Sequence, residues 1–239
     1  MVVSKFLKLL AFSNLVLITH ASSATLNDSW YVMQAGSSPW GYFHEVIQFN
    51  DGRYFYRYDM TKRENAAVYN ENIGAVAEQN LTPVAFNLNK SGGDTSQSYS
   101  GTYKLGDNAG VFTVQYKGAI EKTYKRNVAK NTILEVFFPV WIKDHWNELK
   151  PGYRSSISIF TEDPETTDYR SKTARFEISK ERSAGSQACK EIKVELDNRK
   201  SVWCVTKNAA LVDMIVGNNE VQVRRVENEK AAKSFLGIR

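Results

Sequence analysis

A mainly β fold is predicted for this chain, as a strongly curved antiparallel sheet or half-open barrel with one mid-chain helix packed on its concave side. Three observations carry the prediction. Apolar and polar residues alternate with a period of two through most of the chain, the pattern of strands that bury one face. Turn residues such as Asp51-Gly52 punctuate the apolar runs, and an Asp-Gly pair favours a two-residue type I′ hairpin. One segment breaks the rhythm: Phe138, Trp141, Ile142, His145, Trp146 and Leu149 recur at helical spacing, which makes one apolar stripe of an α-helix.

The first 24 residues read as a secretory signal. Lys5 and Lys8 form a basic start, Leu9–Phe12 and Leu15–Ile18 an apolar stretch, and Ser22 and Ala24 the small residues of a cleavage site. The apolar stretch is shorter than the about 20 residues a helix needs to span a bilayer. Export to an extracytoplasmic space is expected, either the bacterial periplasm or the medium. Removing 24 of the 239 residues leaves 215, within the range of a single β domain. The organisation expected is therefore a signal over 1–24, one β-rich domain over 25–227 and a tail over 228–239. The tail from Asn228 to Phe235 is rich in Lys, Glu and Ala and is open to a short helix or to disorder.

The clearest hairpin joins Tyr42–Phe49 to Arg53–Asp59. With Asp51-Gly52 as its loop, Phe49 faces Tyr54, Ile47 faces Tyr56 and Glu45 faces Tyr58, while Gln48 with Phe55 and Val46 with Arg57 share the other face. Cross-strand aromatic pairs of this kind stabilise a sheet by up to about 1 kcal/mol each. Further strands are expected at Gly74–Gln79, Pro83–Leu88, Tyr99–Leu105, Phe112–Tyr116, Tyr153–Thr161, Thr173–Ile178, Glu191–Leu196, Val202–Thr206, Leu211–Val216 and Val221–Val226. Gly217-Asn218-Asn219 supplies the last turn, and Thr61–Asn72, Lys90–Ser98 and Glu162–Ser171 read as long polar loops. The helix is expected over Pro139–Lys150, with Pro139 in its first turn and Pro151-Gly152 beyond its end.

Charge gives no strong partner. The two signal lysines take the formal charge from +5 to +3 in the mature chain, and cations and acids are interspersed. A pI near 9.0 supports nucleic acid only weakly, and export weakens it further, so no nucleic-acid partner is expected. No later window is apolar enough for a transmembrane helix. Cys189 and Cys204 are the only cysteines. An oxidising compartment favours a bridge, but a hairpin turning at Asn198-Arg199 sets Cys204 opposite Lys193, four residues out of register. A bulge or looser connection would close the gap, so the disulfide stays open.

Catalytic signatures are weak. His44-Glu45 starts like a zinc-protease motif, but Gln48 stands where the second histidine belongs. In the hairpin register His44 lies opposite Asp59, which suits either an edge hydrogen bond or, less commonly, an oriented imidazole. His145 lies on the apolar stripe between tryptophans, the place of a packed histidine. Asp163-Pro164-Glu165 brings two acids together in what reads as a turn. No activated thiol, nucleophile elbow or phosphate loop is present. No enzyme activity, cofactor or metal is expected. Three glycosylation triplets begin at Asn27, Asn80 and Asn89.

What remains is aromatic excess: 12 Phe, 12 Tyr and 5 Trp. These residues either fill a large core or line an apolar cavity of the kind that binds hydrophobic ligands. In the second case Trp141, Ile142 and Trp146 would form a lid, with Phe49, Tyr54 and Tyr56 on the wall. The order of elements resembles the bacterial periplasmic lipoprotein-carrier type, half-open antiparallel barrels that shield acyl chains. The resemblance lies in Ser29–Met33, Trp40-Gly41-Tyr42 with the Asp-Gly hairpin, Phe137–Trp141 running to Pro151-Gly152, then Val202–Val205, Leu211–Met214 and Val221–Arg225. It implies a non-enzymatic binder of a hydrophobic or lipid-like ligand. The expected alternative is an envelope adaptor or structural protein with a filled core, working through protein partners; a hydrolase is the third reading.

Overall fold

The computed structural model describes residues 23–64, 67–93, 95–161, 171–184, 187–217 and 220–237. Most of residues 1–24, the Asp163-Pro164-Glu165 turn and Asn218-Asn219 lie outside the described residues. The first arm of the sheet holds β1 (Ala24–Ala35), β2 (Ser38–Asn50), β3 (Arg53–Glu64), β4 (Ala67–Glu78), β5 (Pro83–Gly92), β6 (Thr95–Leu105), β7 (Gly110–Lys117) and β8 (Glu121–Val128). The second arm holds β9 (Ile133–Leu134), β10 (Arg154–Phe160), β11 (Ser171–Ala184), β12 (Gln187–Leu196), β13 (Arg199–Thr206), β14 (Leu211–Val216) and β15 (Val221–Val226). Among the described residues there are two helices, α1 (Phe138–Asp144), preceded by a 3-10 turn at Glu135–Phe137, and α2 (Glu229–Phe235).

The fifteen strands of the described residues form one curved, unclosed sheet in the order β8-β7-β6-β5-β4-β3-β2-β1-β15-β14-β13-β12-β11-β10-β9. Consecutive strands pair antiparallel except at two places: β8 and β9 lie at opposite ends of the order and do not pair, and β9 runs parallel to β10. β1 also pairs antiparallel with β15. The mainly β class and the mid-chain helix inside the curve are as the sequence predicts.

The Asp-Gly hairpin holds residue for residue: Phe49 faces Tyr54, Ile47 faces Tyr56, and Glu45 faces Tyr58. Asp51 and Gly52 both have positive φ, 51° and 75°, as a type I′ turn requires. Asp197 and Asn198 repeat the device between β12 and β13, at 48° and 65°.

The two arms face each other across a filled interior. Phe160 of β10 stacks on Phe112 of β7 at 4.0 Å and meets Phe86 of β5 at 5.9 Å between ring centres. Phe86 reaches inward over its cross-strand partner Gly101, where any Cβ would collide with the ring. The helical segment wedges between the arms. Phe137 packs on Tyr54 and Tyr56 of β3, and the next residue, Phe138, packs on Phe176 of β11 and Trp203 of β13. Phe137, Phe138, Val140 and Ile142 are all 1% exposed or less. Burying four such side chains contributes on the order of 1.5–3 kcal/mol each.

Three local expectations need correction: the length of the helix, the polar loops and the β12–β13 turn. The helix stops at Asp144, short of Lys150, and residues 145–148 form tighter turns. There the Trp146 N–H donates to the Lys143 carbonyl and His145 sits at φ −100°, ψ 13°. The buried Lys190 ammonium holds the end of this segment, donating to the Leu149 carbonyl at 2.6 Å and lying 4.6 Å from the Trp146 ring centre. Thr61–Glu64, Ala67–Asn72, Lys90–Gly92 and Thr95–Ser98 are strand ends, not loops. They read as polar because cross-strand polar pairs, such as Thr61 with Asn70 and Lys90 with Glu71, replace apolar burial there. Of the expected Glu162–Ser171 loop only Ser171 is among the described residues, and it opens β11.

The tail from Asn228 forms α2 on the outer face of the sheet. Asn228 caps it by accepting from the Ala231 N–H at 3.0 Å, and Ala232 and Leu236 pack on Val32 and Tyr42. Finally, the β12–β13 turn is Asp197-Asn198, one residue earlier than Asn198-Arg199. That moves the register by two, so Cys189 faces Thr206 and Cys204 faces Glu191. The cysteines become diagonal neighbours with Cα atoms 5.5 Å apart, and they are bridged.

Candidate functional site

The concave side of the sheet opens at one end, where β1 begins and the β2–β3 hairpin turns. A cavity of about 350 Å³ lies there, lined by Ala24, Leu26, Phe49, Tyr54, Gln79, Lys143 and Asp144. Period-two alternation brings Phe49 and Tyr54 to the inner face, and their hydrogen-bond register sets the rings 4.8 Å apart. Leu26 enters because the β1–β2 register shifts between Thr25 and Asn27, leaving it as the extra residue of a bulge. The last turn of α1 supplies the polar rim. Lys143 donates to Asp144 at 2.7 Å and its ammonium lies 6.0 Å from the Tyr54 ring centre. Burial alone would lower the Lys143 pKa, but the hydrogen bond and charge of Asp144 more than offset it, and the ammonium is held above its ordinary range. Burial, helped by Asp144, raises the Tyr54 phenol.

Deeper along the same face, beyond the Ile47–Tyr56 pair, sits a buried polar cluster. The Glu45 carboxylate accepts from Asn27 Nδ2 at 2.5 Å and from the Tyr56 hydroxyl at 3.2 Å. Ser29 donates to Asn27 Oδ1 at 2.7 Å, and the Tyr31 hydroxyl donates to the Leu211 carbonyl at 2.8 Å. Burial pushes the Glu45 pKa up to about 7, although hydrogen bonds from Tyr56, Asn27 and Tyr31 work against it. Asn27 is 4% exposed, so the folded chain cannot present that triplet to a glycosyltransferase.

Of the six residues expected around a ligand, Phe49 and Tyr54 line the cavity and the other four do not. Ile142 is core, Tyr56 joins Glu45 and Phe137, Trp141 packs on Phe176 and His145, and Trp146 covers Lys190. Leu26, Gln79, Lys143 and Asp144 were not legible as neighbours, because they converge from separate elements and share no motif. His145 is packed, its ring 4.1 Å from that of Trp141 and its Nδ1 2.9 Å from the Trp141 carbonyl oxygen. His44 does face Asp59 in register, but its imidazole bonds Asp28 at 2.7 Å and stacks on Trp30 at 4.4 Å.

A second, larger and more open hollow of about 740 Å³ lies across β10–β13. Its cations and carboxylates alternate from strand to strand, as where Arg154 meets Glu177 at 3.0 Å, so it presents no single sign of charge. Among the described residues no group of histidine, cysteine or acidic side chains is arranged to hold a metal, and no helix is long and apolar enough to cross a membrane.

No protein-family model matches the chain, and no curated protein matches it. Among solved structures, the crystal structure of a DUF1089 family protein from Pseudomonas aeruginosa is similar, at 10% identity and a TM-score of 0.43. The alignment covers 75% of this chain and 90% of that one. So loose a likeness carries no argument about function.

Proposed function

We propose that this chain is an exported, non-enzymatic binding protein for a hydrophobic or lipid-like ligand, which it grips by one apolar end at the mouth of the sheet. The observation that carries this reading is the cavity walled by Leu26, Phe49 and Tyr54 with Lys143 and Asp144 at its rim. An apolar wall with a few convergent polar groups, at a volume of several hundred Å³, is the make-up of a small-molecule site. The ligand is not swallowed whole, since α1 occupies the space between the arms. Each CH₂ buried against the wall contributes about 0.8 kcal/mol, and no group on the protein has to react. A carrier of the lipoprotein-carrier type is the broader form of this reading.

Native mass spectrometry of protein purified from its own envelope, with melting curves in the presence of fatty acids and lysophospholipids, tests it. A bound amphiphile, or a rise in Tm that Phe49→Ser abolishes, is the expected result. Bare polypeptide mass with no thermal response to either lipid class would sink it. The filled interior favours a second reading, an envelope adaptor acting through protein contacts. Crosslinks to envelope proteins from a chain that ignores every amphiphile would be its signature.

A further inference from the structure

Lys143 and Asp144 cancel each other at the cavity rim, so among the described residues the rim offers an amphiphile's headgroup no net charge. The signal reading changes that balance. Ser22 and Ala24 mark a cut between Ala24 and Thr25, and this bond lies in the strand that borders the cavity, with Ala24 and Leu26, on either side of Thr25, both lining it. Ala24 is also the cross-strand partner of Phe49, the main apolar wall. Cleavage there removes a residue from the rim and leaves a free α-ammonium on Thr25.

We propose that signal cleavage completes the site: the Thr25 α-ammonium joins Lys143 at the rim, and the ligand is a single-tailed anionic amphiphile of the fatty-carboxylate class. This deepens the apolar-ligand reading and rests on it. Two ammonium groups then face one carboxylate. Whichever of them Asp144 holds, the other is free to donate charge-assisted hydrogen bonds to an anionic headgroup, while Leu26, Phe49 and Tyr54 take the tail. The titratable groups that line the cavity with Ala24 and Leu26 are Lys143 and Asp144 from α1 and the Tyr54 phenol from β3, while Phe49 and Gln79 do not titrate. An α-amine has a pKa of about 7.7–8.0, so preference for an anionic headgroup fades above about pH 9, where Lys143 is still charged.

The full chain is exported and the mature protein purified, its intact mass fixing the first residue. A second preparation carries Gly-Ser ahead of Thr25, which displaces the amine by about 7 Å and sets the two added residues where Ser23 and Ala24 stand in the uncut chain. Dodecanoate and dodecanol are titrated against both. At pH 7, dodecanoate should bind the Thr25-starting chain about 10-fold more tightly than the extended one, the worth of one charge-assisted hydrogen bond. Dodecanol should bind the two alike. Equal dodecanoate affinity for both chains, or a mature mass that starts elsewhere, overturns the proposal while leaving the apolar-ligand reading intact if dodecanol binds. Failure of both probes on both chains removes that reading, and this proposal falls with it.

Discussion

Glu45 and Lys190 are both buried on the concave face, one in each arm, and the protein treats them differently. Lys190 is 1% exposed, yet its ammonium reaches the Glu181 carboxylate at 2.7 Å as well as the Leu149 carbonyl. Glu181 opens to solvent at its far side, and the contact lowers its pKa, first through the hydrogen bond and then through the charge of Lys190. Glu45 is 7% exposed and has neutral hydrogen-bond partners, Asn27 and Tyr56. Burial raises its pKa to about 7, and its hydrogen bonds, which favour the ionised form, only partly offset the rise. A buried charge with a counterion can hold a structural joint at every ordinary pH. A buried carboxyl whose partners carry no opposite charge is favoured in its protonated form by burial, even though its donors favour the ionised one.

Lys190→Ala should have the largest effect on this contrast. It removes a buried four-carbon stem and orphans the Leu149 carbonyl, for a loss of about 4 kcal/mol and about 10 °C in Tm. Proteolysis near residues 145–150 should quicken as well. Next comes Glu45→Gln, which keeps an acceptor for Asn27 but cannot ionise. Because the folded pKa lies above the ordinary carboxylate value, the native state holds its proton longer than the unfolded chain. Stability from this site is therefore present below about pH 4.5 and is lost as pH rises through about 7. The loss amounts to about 3 kcal/mol in full. Denaturant melts should find Glu45→Gln stabilised by that amount at pH 8.5 and unchanged at pH 4. An equal shift at both pH values would refute the titration. Tyr31→Phe follows, costing about 1 kcal/mol by stripping the Leu211 carbonyl of its donor. Glu181→Gln should lower stability least, and its effect should shrink in 1 M salt, since the carboxylate it removes is solvent-exposed.

The fold was legible where the solvent boundary runs along a strand. β2 and β3 alternate cleanly because one face meets the core, and Asp51-Gly52 fixes their register. β8 was missed because it is a sheet edge: Glu121, Lys122, Thr123 and Lys125 are all exposed, so burial imposes no period. The helix was legible from its stripe, but its length was not, since Lys190, far along the chain, helps to decide where it ends. The cysteine pairing turned on which of Asp197, Asn198 and Arg199 take the two turn positions, and several such residues tolerate them. Phe49 and Tyr54 could be placed together from one hairpin. Lys143 and Leu26 could not, because only tertiary packing brings α1 over the start of β1.

The strand order has one further consequence, for how the chain assembles. Each antiparallel pair but one joins neighbours in sequence, and the exception, β1 with β15, links Trp30–Ala35 to Val221–Val226. Both arms can therefore grow as local zippers, whereas this seam must bring together segments from opposite ends of the chain, a slow search for long-range partners. The Tyr31–Leu211 hydrogen bond and the α2 clasp on Val32 and Tyr42 sit astride that junction, like stitches added at the last closure.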